Sequence, residues 1–244
     1  VIEVKKVSKS FGGVKANVDI TMSVKKGSIT GIIGPNGCGK STLFNSIVGY
    51  HPIDTGSIKF EGEEISHLRV GDIARLGMLR TFQQTRIYTK MDCVDNMQIS
   101  VSQRPGSSST MFASRKGEIR ERAEHLLEFV GLYSKRSLIS GDLSFGQQKL
   151  LEFAMALMNE PTVLLLDEPT AGINPTLING LINRLQRANE ELGITLCVIE
   201  HNMRVIMNLA SHIYCLSNGK MLADGKPEKL QNDPRVVDAY LGGH

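Results

Sequence analysis

The octapeptide Gly34-Pro35-Asn36-Gly37-Cys38-Gly39-Lys40-Ser41, followed by Thr42, most narrows what this chain can fold into. It stands between a strand-like segment, residues 28–33, and a helical pattern over 41–48 that Gly49 closes. Glycines there let successive backbone N–H groups turn inward, where side chains would obstruct the approach of an anion. The helix beginning near Lys40 adds the positive end of its dipole. A strand, this spacing and a helix together make a cradle for phosphate oxygens. Lys40 can reach the β- and γ-phosphates of a nucleotide, and the Ser41 hydroxyl can ligate Mg²⁺. Cys38 lies inside the loop, beside a helix N-terminus and a lysine, and both lower a thiol pKa. A nucleophilic role is not expected of it. Its alkylation is expected to block the loop sterically, with bound ATP protecting.

The second half of a phosphate-hydrolysis site follows in Val163-Leu164-Leu165-Leu166-Asp167-Glu168. A buried strand ending in two carboxylates delivers them at the C-terminal edge of a sheet, where phosphate loops also lie. Asp167 would hold Mg²⁺, and Glu168 would orient or deprotonate the attacking water. Read alone, such a strand end is as readily a solvated edge, and the loop at 34–41 is what gives it chemistry.

Composition closes off other classes. The net charge is +3, with 41% hydrophobic and 22% charged residues, so disorder is not expected and no nucleic-acid surface is implied. No apolar run approaches the roughly 18 residues that cross a bilayer. Residues 1–6 alternate like a strand and lack the apolar core of a leader, so a cytosolic chain is expected. Four cysteines lie far apart without a CxxC pair, which argues against a zinc site or a disulfide framework. Cys197 and Cys215 read as buried small hydrophobes.

Along the chain, strand alternation over 1–7 and 18–24 and a strand and turn over 57–62 precede a helix near 70–76. Residues 102–117 are serine-rich and basic and read as a loop. Helical spacing returns at 118–130, with Ile119, Ala123, Leu126, Leu127 and Val130 on one face, and again at 144–159. From 163 the pattern is strand, helix over 177–192, strand over 194–199, and a hairpin around Asn218-Gly219. Pro227 can open a last short helix. The organisation is an α/β core interrupted by a helical lobe.

Three further segments make the chain resemble the nucleotide-binding subunits of ATP-binding cassette (ABC) transporters. Leu143-Ser144-Phe145-Gly146-Gln147 is similar to the family's LSGGQ signature, Gln83 in Arg80-Thr81-Phe82-Gln83 to its glutamine loop, and His201 to its switch histidine. Within the family the likeness is to the importer ATPases for branched-chain amino acids, carried by LSFGQQKLLEFAMAL, DEPTAGINP, IEHNM and the C-terminal DAYLGG. Without the resemblance, Ser144 is an ordinary N-cap, His201 a turn histidine, Phe11 a core anchor, and Gln83 carries no signal.

The resemblance implies a P-loop NTPase fold of the ABC ATPase type, with an N-terminal antiparallel β-subdomain and an inserted α-helical lobe. It implies one domain over 1–244, with a nucleotide-binding core in 1–83 and 161–244 and a helical subdomain in 84–160. The implied cofactors are ATP and Mg²⁺, the metal held by Ser41, Gln83 and Asp167. Glu168, His201 and Gln83 would serve hydrolysis, and Phe11 would stack on adenine. The signature residues 143–147 would act on the ATP of an opposing subunit. The implied partners are two membrane permease chains, a second ATPase subunit (a copy or a paralogue) and, indirectly, an extracytoplasmic solute-binding protein. The implied location is the cytoplasmic face of the cell membrane; a soluble, non-transport ABC ATPase is the alternative. Three positions depart from the family pattern. Phe145 replaces the first glycine of the signature pair, and Asn174 and Asn202 stand where aspartate is frequent.

Overall fold

The computed structural model describes residues 1–81, 86–101 and 112–241. β1 (Ile2–Phe11) and β2 (Val14–Val24) form a hairpin, and β3 (Ile29–Ile33) runs through the glycine-rich loop into α1 (Lys40–Ile47). β4 (Thr55–Phe60), β5 (Glu63–Glu64), α2 (Val70–Arg75) and β6 (Met78–Arg80) follow. Then come α3 (Cys93–Ile99), α4 (Phe112–Phe129), α5 (Phe145–Leu157), β7 (Val163–Asp167), α6 (Pro175–Glu191), β8 (Thr195–Ile199) and α7 (Met203–Leu209). β9 (His212–Ser217), β10 (Lys220–Gly225), α8 (Pro227–Gln231) and α9 (Pro234–Leu241) complete the order. The chain forms two compact units. One comprises Val1–Arg80, Thr162–Pro169 and the chain from Leu185 onward; the other comprises Thr81–Pro161 and Thr170–Arg184.

The first unit contains two sheets. One is antiparallel, in the order β2-β1-β4-β5; the other has six strands in the order β10-β9-β3-β8-β7-β6. In the second, β3 pairs parallel with β8 and β9, β7 with β8, and β6 with β7, while β10 returns antiparallel along β9. Every residue of β3, β7 and β8 is buried. That is why residues 163–166 and 196–199 read as continuous apolar runs and why β3, interrupted only by Thr30 and Gly31, shows no polar alternation: a parallel sheet is covered on both faces. Ile2, Val4, Ile20 and Ile58 from the antiparallel sheet join Leu43 and Phe44 from α1 and Leu165 and Cys197 from the parallel one in a single apolar cluster. Burying a ring such as that of Phe44 contributes about 2–3 kcal/mol. The parallel order sets the C-terminal ends of β3, β8, β7 and β6 side by side. The loop at 34–41, Glu200-His201, Asp167-Glu168 and Arg80 therefore share one edge.

The turn between β9 and β10 has both central residues left-handed, Asn218 at φ 48° and Gly219 at φ 74°, as the Asn-Gly dipeptide demands. Pro227 stands at the start of α8. Two features differ from expectation. Residues 112–117, read as loop, belong to α4, because helical pairing extends past the serine-rich composition, and residues 102–111 lie outside the described residues. β6 went unread because three residues carry no period of their own, and only pairing with β7 makes them a strand.

In the second unit, α4 buries Ala123, Leu126 and Leu127, Val130 is buried just past its end, and Ile119 is half-buried. A buried polar hub organises the unit. Asn96 Nδ2 donates to the carbonyls of Tyr88 (3.1 Å) and Asp92 (2.9 Å) and to Ser140 Oγ (3.0 Å), and its Oδ1 accepts from the Tyr88 N–H at 2.7 Å. This ties the segment before α3 to the turn before α5. Replacing Asn96 by alanine leaves several of these groups without a partner, at roughly 1 kcal/mol or more each. The expected loss is about 2–4 kcal/mol, read from the urea midpoint at constant slope.

Candidate functional site

The loop at 34–41 is shaped by close backbone approach. Gly34, Gly37 and Gly39 have φ of 148°, 77° and 101°. A Cβ on Gly34 would lie 2.2 Å from the Leu216 carbonyl oxygen, and one on Gly39 would lie 2.2 Å from that of Ala16. Neighbouring strands brace the outside of the loop. Asn17 Nδ2 donates to the Gly39 carbonyl at 3.1 Å, and the Gly219 N–H donates to the Cys38 carbonyl at 3.1 Å. The glycine of the β9–β10 turn thus doubles as a wall of the loop. Lys40, 6% exposed, folds back and donates to the Gly34 (2.7 Å) and Pro35 (3.0 Å) carbonyls. The first turn of α1 carries no acidic residue, so its positive end is left for an anion. Ser41 is exposed and Thr42 half-buried, with the loop's Pro35 half-buried and Asn36 exposed.

Cys38 corrects the sequence reading. Its side chain is 3% exposed, and burial pushes the thiol above its ordinary value, with the Lys40 charge offsetting only part of the effect. Desolvation outweighs the charges that were expected to lower it. Iodoacetamide should therefore label Cys38 at least about tenfold more slowly than in the urea-unfolded chain, and faster as pH passes the ordinary thiol range. Bound ATP should slow it further. Equal rates with and without ATP would remove Cys38 from the nucleotide's cover.

Asp167 ends β7 and pairs with Ile199 of β8. Its Oδ2 accepts from Arg80 Nη2 at 2.6 Å. Glu168, the next residue, is left-handed at φ 48°, and its N–H donates to the Ile199 carbonyl at 2.9 Å. A non-glycine residue holding this conformation costs on the order of 1–3 kcal/mol, and such strain clusters where a side chain must be aimed. His201 lies two residues past the end of β8, and its Nδ1 stands 3.8 Å from Glu168 Oε2, beyond hydrogen-bond length. Asn202 caps α7 by accepting from the Val205 N–H at 3.3 Å, a task that asparagine performs as well as aspartate. Phe11 sits at the end of β1 with 43% of its surface open, edge-on to His51 (5.1 Å between ring centroids), and with Lys9 Nζ 5.2 Å from its ring centre. It is not a core anchor.

In the second unit, Ser144 is the N-cap of α5 and forms a complete capping box with Gln147. Phe145 is 46% exposed, its ring against the backbone of Gly172, where a Cβ would come within 2.8 Å of it. Leu143 is buried. A Cβ on Gly146 would make only ordinary contacts, at 3.5 Å to Leu177 and 3.6 Å to Ile173, so packing within this chain does not require glycine there. Asn174 Oδ1 accepts from the Thr176 N–H at 3.1 Å at the start of α6. Gln83 lies outside the described residues.

Sequence reasoning missed Arg80, Asn17 and Gly219. Arg80 had one available signal: a cation closing an apolar pair, Met78-Leu79, just before Thr81-Phe82-Gln83. Among the described residues no group of three or more acidic, histidine or cysteine side chains forms a metal cluster, and the four cysteines are free and buried. Nor is any described helix long and apolar enough to cross a membrane.

Comparison with known proteins gives two family matches. Residues 18–171 match the ABC transporter family, and residues 220–244 match a branched-chain amino acid ATP-binding cassette transporter family. The chain is 37% identical to the probable branched-chain amino acid transport ATP-binding protein LivG of Archaeoglobus fulgidus, over 99% of this chain and 95% of that one. It is 35% identical to the high-affinity branched-chain amino acid transport ATP-binding protein BraF of Pseudomonas aeruginosa, over 99% and 98%. Among solved structures, the ADP conformation of an ATP-binding cassette of an ABC transporter superposes with a TM-score of 0.87 at 34% identity, covering 99% of this chain and 98% of that one. A dimeric bacterial ABC transporter cassette superposes at 0.79 with 25% identity, over 93% and 99%.

Proposed function

The chain belongs to the ABC transporter family, whose cassettes hydrolyse ATP to power transport, and on that premise we propose that it drives an importer of branched-chain or other amino acids. The observation that carries the hydrolytic part is the shared strand edge. Lys40 is wrapped by its own loop, and Asp167, Glu168 and His201 leave the neighbouring parallel strands. The names of the relatives and the C-terminal family match support the cargo class.

The chemistry then runs through this chain's own groups. Lys40 exchanges the Gly34 and Pro35 carbonyls for the β- and γ-phosphates, while residues 34–42 line the phosphates with N–H groups and hydroxyls. Glu168 orients the attacking water and accepts its proton. His201 donates to the γ-phosphate and so registers whether that group is present. The open face of Phe11 stacks on adenine. Ser41, Asp167 and Gln83 offer a hydroxyl, a carboxylate and an amide oxygen, a hard-oxygen set that suits Mg²⁺, and the carboxylate already holds a cation in Arg80. Bound there, the metal would neutralise phosphate charge.

Ser144 and Gly146 at the head of α5 make a second anion-binding helix end, which would act on the ATP of an opposing subunit, a copy or a paralogue. The room at Gly146 supports this, since the demand for glycine then comes from outside the chain. Binding of two ATP molecules closes the pair, and hydrolysis reopens it. The segment at Gln83 passes the change to two permease chains at the cytoplasmic face of the membrane, and a solute-binding protein delivers cargo from the other side.

Tagged Glu168→Gln protein, captured from its native cells with ATP and Mg²⁺ in mild detergent, tests this. Two multi-span permease chains among the co-purifying proteins are expected. Soluble partners alone, from a preparation in which other transporters stay intact, would favour a non-transport ATPase.

A further inference from the structure

Asp167 is a carboxylate almost sealed from water, and its ion-pair partner is equally sealed: the side chains of Arg80 and Asp167 are 7% and 4% exposed, with Nη2 and Oδ2 2.6 Å apart. Arg80 sits in a prepared seat. Its other arm, Nη1, donates to Asn45 Oδ1, and its guanidinium carbon lies 5.6 Å from the centre of the Phe44 ring. Phe44 and Asn45 both belong to α1, the helix that begins at Lys40. The strand beside β7 and the helix leaving the phosphate loop therefore hold one cation against the carboxylate.

A buried carboxylate without a counter-charge is strongly unfavourable, and Arg80 removes that penalty while no metal is present. The same charge opposes a divalent cation arriving at the same group, because like charges a few ångströms apart repel strongly where water is excluded. We propose that Arg80 is the resident counter-ion of Asp167 and a positioning residue for metal loading: Mg²⁺ reaches Asp167 only together with a nucleotide, whose phosphates supply the negative charge that lets the carboxylate give up the guanidinium. This rests on Asp167 being the metal carboxylate. It makes nucleotide and metal arrive as one unit, and it keeps the site from filling with free divalent cations.

Mn²⁺ titration followed by electron paramagnetic resonance tests it on the full chain, with and without ADP held below the protein concentration. The parent protein should bind Mn²⁺ with ADP and not measurably without it. Arg80→Met should tighten Mn²⁺ binding with ADP by about tenfold or more, and should make binding without ADP measurable. Arg80→Lys keeps the charge and should stay close to the parent. Asn45→Ala loosens the seat and should tighten binding by a smaller factor, which decides the matter if Arg80→Met does not fold. Equal or weaker Mn²⁺ binding in Arg80→Met, or an unchanged Asn45→Ala where only that variant folds, would overturn the proposal. Asp167→Asn separates the two levels. If it leaves Mn²⁺ affinity with ADP unchanged, the metal-carboxylate reading itself fails; if it weakens binding while Arg80→Met does not tighten it, only the role of Arg80 fails.

Discussion

Glu168→Gln is expected to slow ATP turnover by roughly 10²–10⁴-fold while ATP affinity stays at the parent value. The glutamine amide keeps the size of the side chain and its reach toward a water, and it loses the ability to accept a proton. Three features make the backbone there unlike an ordinary strand end. Glu168 holds a left-handed φ, its N–H is fixed on the Ile199 carbonyl, and its carboxylate faces His201 across 3.8 Å. The first two do not depend on the carboxylate charge and the third is longer than a hydrogen bond, so the substitution should leave the fold intact and act on chemistry. Steady-state phosphate release alongside equilibrium binding of a fluorescent ATP analogue would check it. Equal turnover in variant and parent would take Glu168 out of the reaction.

Gly39→Ala carries the second large effect, on stability and binding together. The position combines φ of 101° with a Cβ site only 2.2 Å from the Ala16 carbonyl oxygen, and backbone cannot swing aside as a side-chain tip can. Backbone strain of about 1–2 kcal/mol and overpacking of about 1–3 kcal/mol give an expected loss of roughly 2–5 kcal/mol. Since Gly39 is also the N-cap of α1, the shift reaches Lys40 and the first N–H groups of the helix, and nucleotide binding should be lost. Gly37→Ala is the internal control. Its φ of 77° carries the strain, but its Cβ would meet nothing within 4 Å, so only about 1–2 kcal/mol is expected. Urea midpoints for the two variants separate crowding from conformation. Equal losses would mean that β2 does not confine the loop.

Much of the order of elements, and the candidate phosphate-site residues, could be read in the chain because they depend on local rules. An eight-residue loop spacing, apolar runs bounded by glycine or charge, a serine N-cap before α5 and an Asn-Gly turn each act over a few residues, and the structure forms each of these elements. Neighbouring strands could be recognised singly, since burial on both faces leaves a continuous apolar stretch. What could not be read is whatever arises between segments far apart in sequence. β6 is a strand only because β7 lies beside it. The Cys38 thiol is raised rather than lowered because its side chain joins the apolar cluster assembled from both sheets and α1, and the chain order gives no measure of that burial.

The same division holds at the site. Lys40, Asp167 and Glu168 are candidates by residue type and spacing, because each chemical task admits few side chains, whereas His201 enters only through the family resemblance. Which of them meet follows from sheet order, and what holds them follows from the packing of α1 and the loop against that edge. The β3-β8-β7-β6 sequence of neighbours sets Arg80 against Asp167 and His201 against Glu168, pairs separated by 87 and 33 positions in the chain. A charge acts through distance in space, and only the folded sheet turns those separations into contacts.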